Sequence, residues 1–341
     1  PVSRVVGARF DADVPTSLSG EEKGGAQATD GDATPTTTDV RAPAFTTVVG
    51  LLAIPLVLIG LNTVTTTLVT NGNIAEDNAL ANGLVLLGDT PVALLITLLV
   101  AIAGSLLYVY RYRGSARYAD LREYFRKGWP IFSPLNCLLY LTTQTRGSGA
   151  ILDADSFPQL APLKDNWETI RDEAVALHEQ HYFDLTKRPG TPAYYDVGFR
   201  TFFKYGWSRF YLHWYGYTHH SARALCPKTV SILARVPSLN GAMFALLPPG
   251  SQLSRHADPM ACSLRYHLGL ATPNSDTCFI NIDGSDHSWR DGKVLMFDET
   301  YLHYARNDSD QPRLILMCDI NRPTNALGTL VNFLYKSLPR L

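Results

Sequence analysis

The spacing of apolar and polar residues changes several times along the 341-residue chain. Over 1–44, with "SGEEKGGAQATDGDATPTTTD", large apolar side chains are too sparse to offset the entropy of ordering, so a flexible N-terminal segment is expected. Residues 45–110 hold two charge-poor apolar runs, "FTTVVGLLAIPLVLIGLNTVTTTLV" and "TPVALLITLLVAIAGSLLYVY". Each is long enough to cross a hydrocarbon layer of about 30 Å as a helix. The second ends in tyrosines followed by Arg111 and Arg113, which places its C-terminal side in the cytoplasm. From 111 to 155 a basic juxtamembrane linker containing "RYRGSARYADLREYFRKGW" is expected to lie on an anionic leaflet.

Further on the periods are those of a globular domain. In "DNWETIRDEAVALHEQ", Trp167, Ile170, Ala174 and Leu177 fall on one face of a helix. Short strand-like runs then alternate with turn residues: "AMFALL", "SLRYHLGLA", "TCFINID", "KVLMFD" and "RLILMCDI". Five such runs, separated by Gly, Pro and Asp turns, predict a mainly β sandwich or barrel. Residues 326–341 are expected as a C-terminal tail.

Composition narrows the function. With 30 basic and 31 acidic residues the net charge is near zero, and nothing favours a nucleic-acid partner. Cys137, Cys226, Cys262, Cys278 and Cys318 are scattered, with no CxxC pair, and are expected as free thiols. His178 and His181 are three apart, not the four of a helical HExxH zinc motif.

The chemistry concentrates in "SRHADPMACSLRYHLGL". In an extended segment residues i and i+2 point the same way, so His256 and Asp258 can converge on one ion. A second imidazole from a later strand would complete the two-His-one-carboxylate set of non-haem Fe(II) oxygenases. His303, at a loop edge after "KVLMFD", is the best-placed candidate. Arg313 sets a guanidinium among aliphatic neighbours, which calls for a planar carboxylate partner such as the far end of 2-oxoglutarate.

Residues from about 105 to 325 also resemble a known family, through "SPLNCLLYL", "FPQLAPLKDNWETIRDEA", "DVGFRTFFKYGW", "RFYLHWYG", "ALCPKTV", "MFALLPPGSQLSRHADP", "SLRYHLGLATPNSD", "WRDGKVLMFDETYLHYARN" and "RLILMCDINRP". This text is similar to the aspartyl/asparaginyl β-hydroxylase superfamily, and within it to the membrane-bound bacterial lipid A 2-hydroxylases. The resemblance implies a double-stranded β-helix (jelly-roll, cupin-like) dioxygenase core over 156–325, with flanking helices and N-terminal transmembrane helices. It implies His256, Asp258 and His303 as catalytic Fe(II) ligands, Arg313 on the distal carboxylate of 2-oxoglutarate, and His267 and Arg265 lining the co-substrate side. His267 can equally be read as an inward barrel histidine bonded to a backbone carbonyl. The animal protein-hydroxylase branch has glycine where this chain has Asp258, so the lipid branch is the nearer fit.

The implied reaction consumes 2-oxoglutarate and dioxygen and hydroxylates an unactivated C–H bond. The implied substrate is an acyl chain of lipid A at a bacterial inner membrane, with the catalytic domain on the cytoplasmic side. The aromatic run "FFKYGWSRFYLHWYGY" suits an acyl chain or a core. "AFTTVVGLLAIPLVLIGLNTV" and "LGDTPVALLITLLVAI" resemble an internal piece of the gluconate permease (GntP) family, here expected to act as an anchor, with a fusion or assembly join near Ala101 to Leu107. Two alternatives stand beside this reading: a peptidyl aspartyl/asparaginyl β-hydroxylase, and a non-catalytic permease fragment fused to a barrel.

Overall fold

A computed structural model describes residues 45–145, 149–185 and 207–337. The expected flexible segment 1–44, the first part of the aromatic run and residues 338–341 lie outside the described residues. The two apolar runs form helices Phe45–Thr70 and Thr90–Leu107, the latter continuing in a wider turn over Tyr108–Tyr112. Their spanning lengths are 22 residues (Val49–Thr70) and 23 residues (Thr90–Tyr112). The threonines that dilute the first run return their hydroxyls to its own backbone: Thr63, Thr67 and Thr70 donate to the carbonyls of Ile59, Thr63 and Thr66. Their polarity is thereby satisfied inside the helix. A short helix, Ala79–Leu87, which the sequence reading lacks, lies between them.

Beyond the helices lie two antiparallel sheets, a jelly roll. In chain order the strands are β1 (Ile151–Leu152), β2 (Ser208–Trp214), β3 (Tyr217–Thr218), β4 (Leu239–Leu247), β5 (Gln252–His256) and β6 (Ser263–Ala271), then β7 (Cys278–Ile282), β8 (Ser285–Ser288), β9 (Val294–Phe297), β10 (His303–Asn307) and β11 (Arg313–Asn321). The large sheet runs β1-β9-β6-β11-β4-β2-β3 and the small one β5-β10-β7-β8. All five expected strands are present.

Side-chain parity explains what each face of the large sheet does, because alternate residues of a strand face opposite ways. Leu314, Leu316, Cys318 and Ile320 of β11, with Leu264, Tyr266 and Leu268 of β6, join the core beneath helix Trp167–Glu179. That helix buries Ile170, Ala174 and Leu177, as its periodicity predicts. The opposite parity, Ile315 and Met317 with Met243 and Ala245, packs against Ile280 and Ile282 of the small sheet. On this inner face the same alternation sets Arg265, His267, Arg313 and Asp319, all buried. All five cysteines are free thiols, four of them buried.

The described residues of 111–155 include packed side chains, with Tyr118, Tyr124, Leu139 and Tyr140 buried. Arg113, expected on a leaflet surface, is buried, and its Nη2 donates to Asp298 Oδ2 at 2.7 Å. Tyr140 and Tyr301 cover its guanidinium at 3.6 and 4.0 Å. Arg322 pairs with the same Asp298 oxygen at 2.7 Å. The first residue past the second span is thus fixed to the β9–β10 loop. The expected C-terminal tail begins as a helix, Ala326–Ser337.

Burial pushes the Asp298 carboxyl up, but Arg322 and Arg113 outweigh it and hold it well below the usual carboxylate range. A carboxyl depressed on folding stabilises above its unfolded value of about 4, and that contribution fades as pH falls toward the folded value. Asp298→Asn, which leaves two buried arginines unpaired, is expected to destabilise the fold by about 3–5 kcal/mol at neutral pH. Thermal unfolding from neutral to acid should show the gap from wild type narrowing only below about pH 4; a gap independent of pH would contradict this role.

Candidate active site

β5 and β10 pair so that His256 lies directly opposite His303. His303, expected on a loop edge, is the first residue of β10, and its neighbours keep its ring fixed. The Nδ1–H groups of His256 and His303 donate to the carbonyls of Ser254 (2.7 Å) and Tyr301 (2.9 Å). Each ring therefore keeps Nε2 as its free lone pair, on the side where the two rings approach to 4.3 Å between centroids. Asp258 turns back to the same point: its backbone N–H donates to the Glu299 carbonyl, and its Oδ1 lies 3.6 Å from His256 Nε2.

One donor atom from each of His256, Asp258 and His303 lies within 4.8 Å of the others, the one such group among the described residues. Two imidazoles and one carboxylate, each anchored through its other polar atom, fit a first-row metal with further positions left open. Burial, with His256 adding to it, pushes the His303 imidazole down to about 4, so it is uncharged at neutral pH. The Asp258 carboxyl is raised by burial but held well below the usual range by Arg265, His256 and His303. His303 is buried, whereas the His256 and Asp258 side chains are 22% and 24% exposed, so the set opens on the β5 side.

Arg265 was expected to line the co-substrate side, but the structure places it behind the metal set. It donates to Asp258 Oδ2 at 2.7 Å, pairs with Asp319 at 2.6 Å, and contacts Glu299. It thus holds one Asp258 oxygen and leaves the other facing the histidines. Burial pushes Glu299 well above the usual range, helped by Asp319 and Asp258 and opposed by Arg265. Glu299 and Asp319 are missing from the sequence reading; the signal for Asp319 was a lone acid inside the apolar strand "RLILMCDI".

The second half of the site is an anion seat. Arg313 is fully buried, and its Nε, Nη1 and Nη2 have no hydrogen-bond partner among the described residues. Its guanidinium lies 4.3 Å from the Trp289 ring centroid and 4.9 Å from that of Trp207. Burial lowers it to about 10, which still leaves it charged at neutral pH. Trp289 Nε1 donates to His267 Nδ1 at 3.3 Å, which leaves the proton on His267 Nε2, also without a partner. The inward-histidine reading of His267 is met in position, with the indole in place of a backbone carbonyl. Burial, then Arg313, Arg265 and His303, push His267 well down, so it is neutral. Buried N–H donors left unmatched cost free energy, most of all on a charged group. A carboxylate is the complement of this seat.

Replacing Arg265 with Gln strips Asp258 of its fixed partner. Co(II) or Mn(II) affinity, measured by calorimetry, should fall about 10–100-fold, with loss of stability alongside. Unchanged affinity in a folded variant would sink the positioning role.

Residues 164–323 match the family model described as Aspartyl/Asparaginyl beta-hydroxylase, and residues 11–122 match that of the GntP family permease. An ornithine lipid ester-linked acyl 2-hydroxylase of Rhizobium tropici is 29% identical over 198 residues, covering 56% of this chain and 67% of that protein. The human aspartyl/asparaginyl beta-hydroxylase is 32% identical over 166 residues, 47% of this chain, which spans only 21% of that protein. Among solved structures, a prolyl-4-hydroxylase from Pseudomonas putida aligns at TM-score 0.30 and 16% identity over 47% of this chain and 87% of its own. A segment similar to the aspartyl/asparaginyl β-hydroxylase family is therefore joined, in one chain, to an N-terminal segment similar to the GntP permease family.

Proposed function

We propose that the protein is a membrane-anchored Fe(II)- and 2-oxoglutarate-dependent dioxygenase that hydroxylates a lipid acyl chain, at C2 of a secondary acyl chain of lipid A. The observation that carries the co-substrate is Arg313, a fully buried guanidinium with no hydrogen-bond partner among the described residues, on the face of the large sheet that packs against the small sheet bearing His256 and His303. A 2-oxo acid with a second carboxylate matches both halves: one end for the metal, the other for Arg313, with the His267 Nε2–H available to an oxygen between them. His256, Asp258 and His303 would hold Fe(II), which when bound supplies the activation of dioxygen. The balance is one 2-oxoglutarate, one dioxygen and one C–H bond giving succinate, carbon dioxide and C–OH. Trp207, Trp289, Phe297 and Tyr301, all buried around this face, limit water at the reacting centre.

The lipid reading rests on where the metal set opens. The Ala257 N–H donates to the Lys127 carbonyl, so the exposed edge of the set adjoins helix Leu121–Lys127, which follows the second span. An acyl chain reaching the site from a bilayer surface has a short path. The spans and Arg111 orient the domain to the cytoplasmic side of a bacterial inner membrane. The rhizobial relative supports a second acceptor of the same chemistry, the ester-linked acyl chain of ornithine lipid. A non-catalytic barrel gives no reason for an intact ligand set, and a peptide acceptor gives none for two spans.

Purified full-length protein with Fe(II), 2-oxoglutarate and lipid should form succinate, and His303→Ala should abolish it while leaving the fold intact. Arg313→Leu should raise the 2-oxoglutarate KM by about 100-fold, the size of one lost buried charge pairing. Succinate formation that survives His303→Ala would refute the metal assignment. Mass spectra of lipids from an expressing host should show one added oxygen on lipid A; the oxygen on ornithine lipid instead would move the substrate, and none on either would refute the lipid reading.

A further inference from the structure

Helix Ala326–Ser337 is built the wrong way round for a helix that closes a core. Asn325 caps it, its side-chain oxygen accepting the Gly328 N–H at 3.1 Å. Its protein-facing side carries Gly328, Val331 and Asn332: Gly328 and Asn332 are buried, and a Cβ at Gly328 would run into the Thr142 hydroxyl and into Thr324 at 2.6 Å. Its outer side is apolar, with Leu327, Leu330, Phe333 and Leu334 each more than half exposed. Contiguous exposed apolar surface of this kind marks a face that is covered in use.

A second such surface lies on the segment that leaves the membrane. Leu121 and Phe125 are i, i+4 neighbours on helix Leu121–Lys127, and Trp129 and Ile131 follow; all four are exposed. Among the described residues outside the membrane helices and the turn between them, the large apolar side chains this exposed are confined to these two groups, apart from Ile151 and Tyr217. Arg122 and Arg126, both exposed, flank the second group.

The two surfaces are joined to the second span. Val331 of the C-terminal helix packs in one cluster with Leu135, Cys137 and Tyr108, and Tyr108 belongs to the Thr90–Tyr112 span. Tyr124 and Tyr118 pack with Val109 and Leu106 of that span. Both apolar faces are therefore held at the end of the span, where a bilayer passes from hydrocarbon to headgroups.

We propose that helix Ala326–Ser337 and the Leu121–Ile131 segment are seated together in the interface of the bilayer that the two long helices cross, the exposed leucines and aromatics in the acyl region and Arg122 and Arg126 at anionic headgroups. The inference rests on the membrane reading above. Amphipathic helices bind interfaces in this manner, with tryptophan at headgroup level. The domain then has three attachments, and the metal set, which opens beside Lys127, is held at a fixed height above the lipid.

The test uses the full chain in vesicles of phosphatidylethanolamine and phosphatidylglycerol. Leu330→Cys and Phe125→Cys are labelled with an environment-sensitive fluorophore, against the unsubstituted chain as thiol background. Leu98→Cys in the second span reports insertion, and Tyr217→Cys reports water. Emission from positions 330 and 125 should be roughly halved by lipids carrying a shallow nitroxide and protected from aqueous iodide. If Leu98→Cys is lipid-quenched while 330 and 125 quench with iodide like 217, the interfacial seat is refuted and the anchor stands. Water-like behaviour at position 98 as well would overturn both. Emission at 330 that changes with protein density but not with nitroxide lipid would assign the face to a second copy and also refute the proposal.

Discussion

Arg265 is the interaction on which the site depends. One guanidinium, buried on the inner face of β6, joins Asp258 in the loop after β5, Glu299 in the β9–β10 loop and Asp319 on β11. These segments are far apart in sequence, and without a shared cation their carboxylates would repel one another. Burial makes that repulsion expensive and makes the pairing geometrically strict. The result is a carboxylate with one oxygen held and the other presented to two imidazoles, which a surface aspartate would not keep.

The neighbouring residue extends the same logic to the membrane. Asp298 precedes Glu299 and serves a different pair of arginines, Arg113 just after the second long apolar helix and Arg322 after β11. The six residues from Asp298 to His303, the β9–β10 loop and the first residue of β10, thus carry the tie to Arg113, the tie to Arg265 and the candidate ligand His303. Anchor, barrel and metal set share a common support, and the short loop leaves little freedom between them.

Much of this was legible in the sequence because it follows local periodicity. The strands rest on side-chain alternation and helix Trp167–Glu179 on a 3.6-residue period, each readable over a few residues, whereas Asp258 reaches His256 from the loop after β5. Arg313 was legible as well, since a guanidinium between aliphatic residues needs a reason. What escaped were pairings that depend on register: Arg265 across to Asp319, Arg113 across to Asp298, and His303 opposite His256. Arg113 looked like a leaflet charge because nothing local shows that Asp298 will meet it. The C-terminal helix escaped for a related reason, its apolar residues being turned outward.

In the proposed function His256, Asp258 and His303 hold one end of a 2-oxo dicarboxylate through the metal, and Arg313 holds the other. The most direct measurement is calorimetric binding to Mn(II)-loaded protein of 2-oxoglutarate, of 2-oxobutyrate, which lacks the far carboxylate, and of glutarate, which lacks the oxo group. The account predicts tight binding of 2-oxoglutarate and a loss of about 100-fold or more for each analogue. Equal affinity for 2-oxoglutarate and 2-oxobutyrate would contradict it.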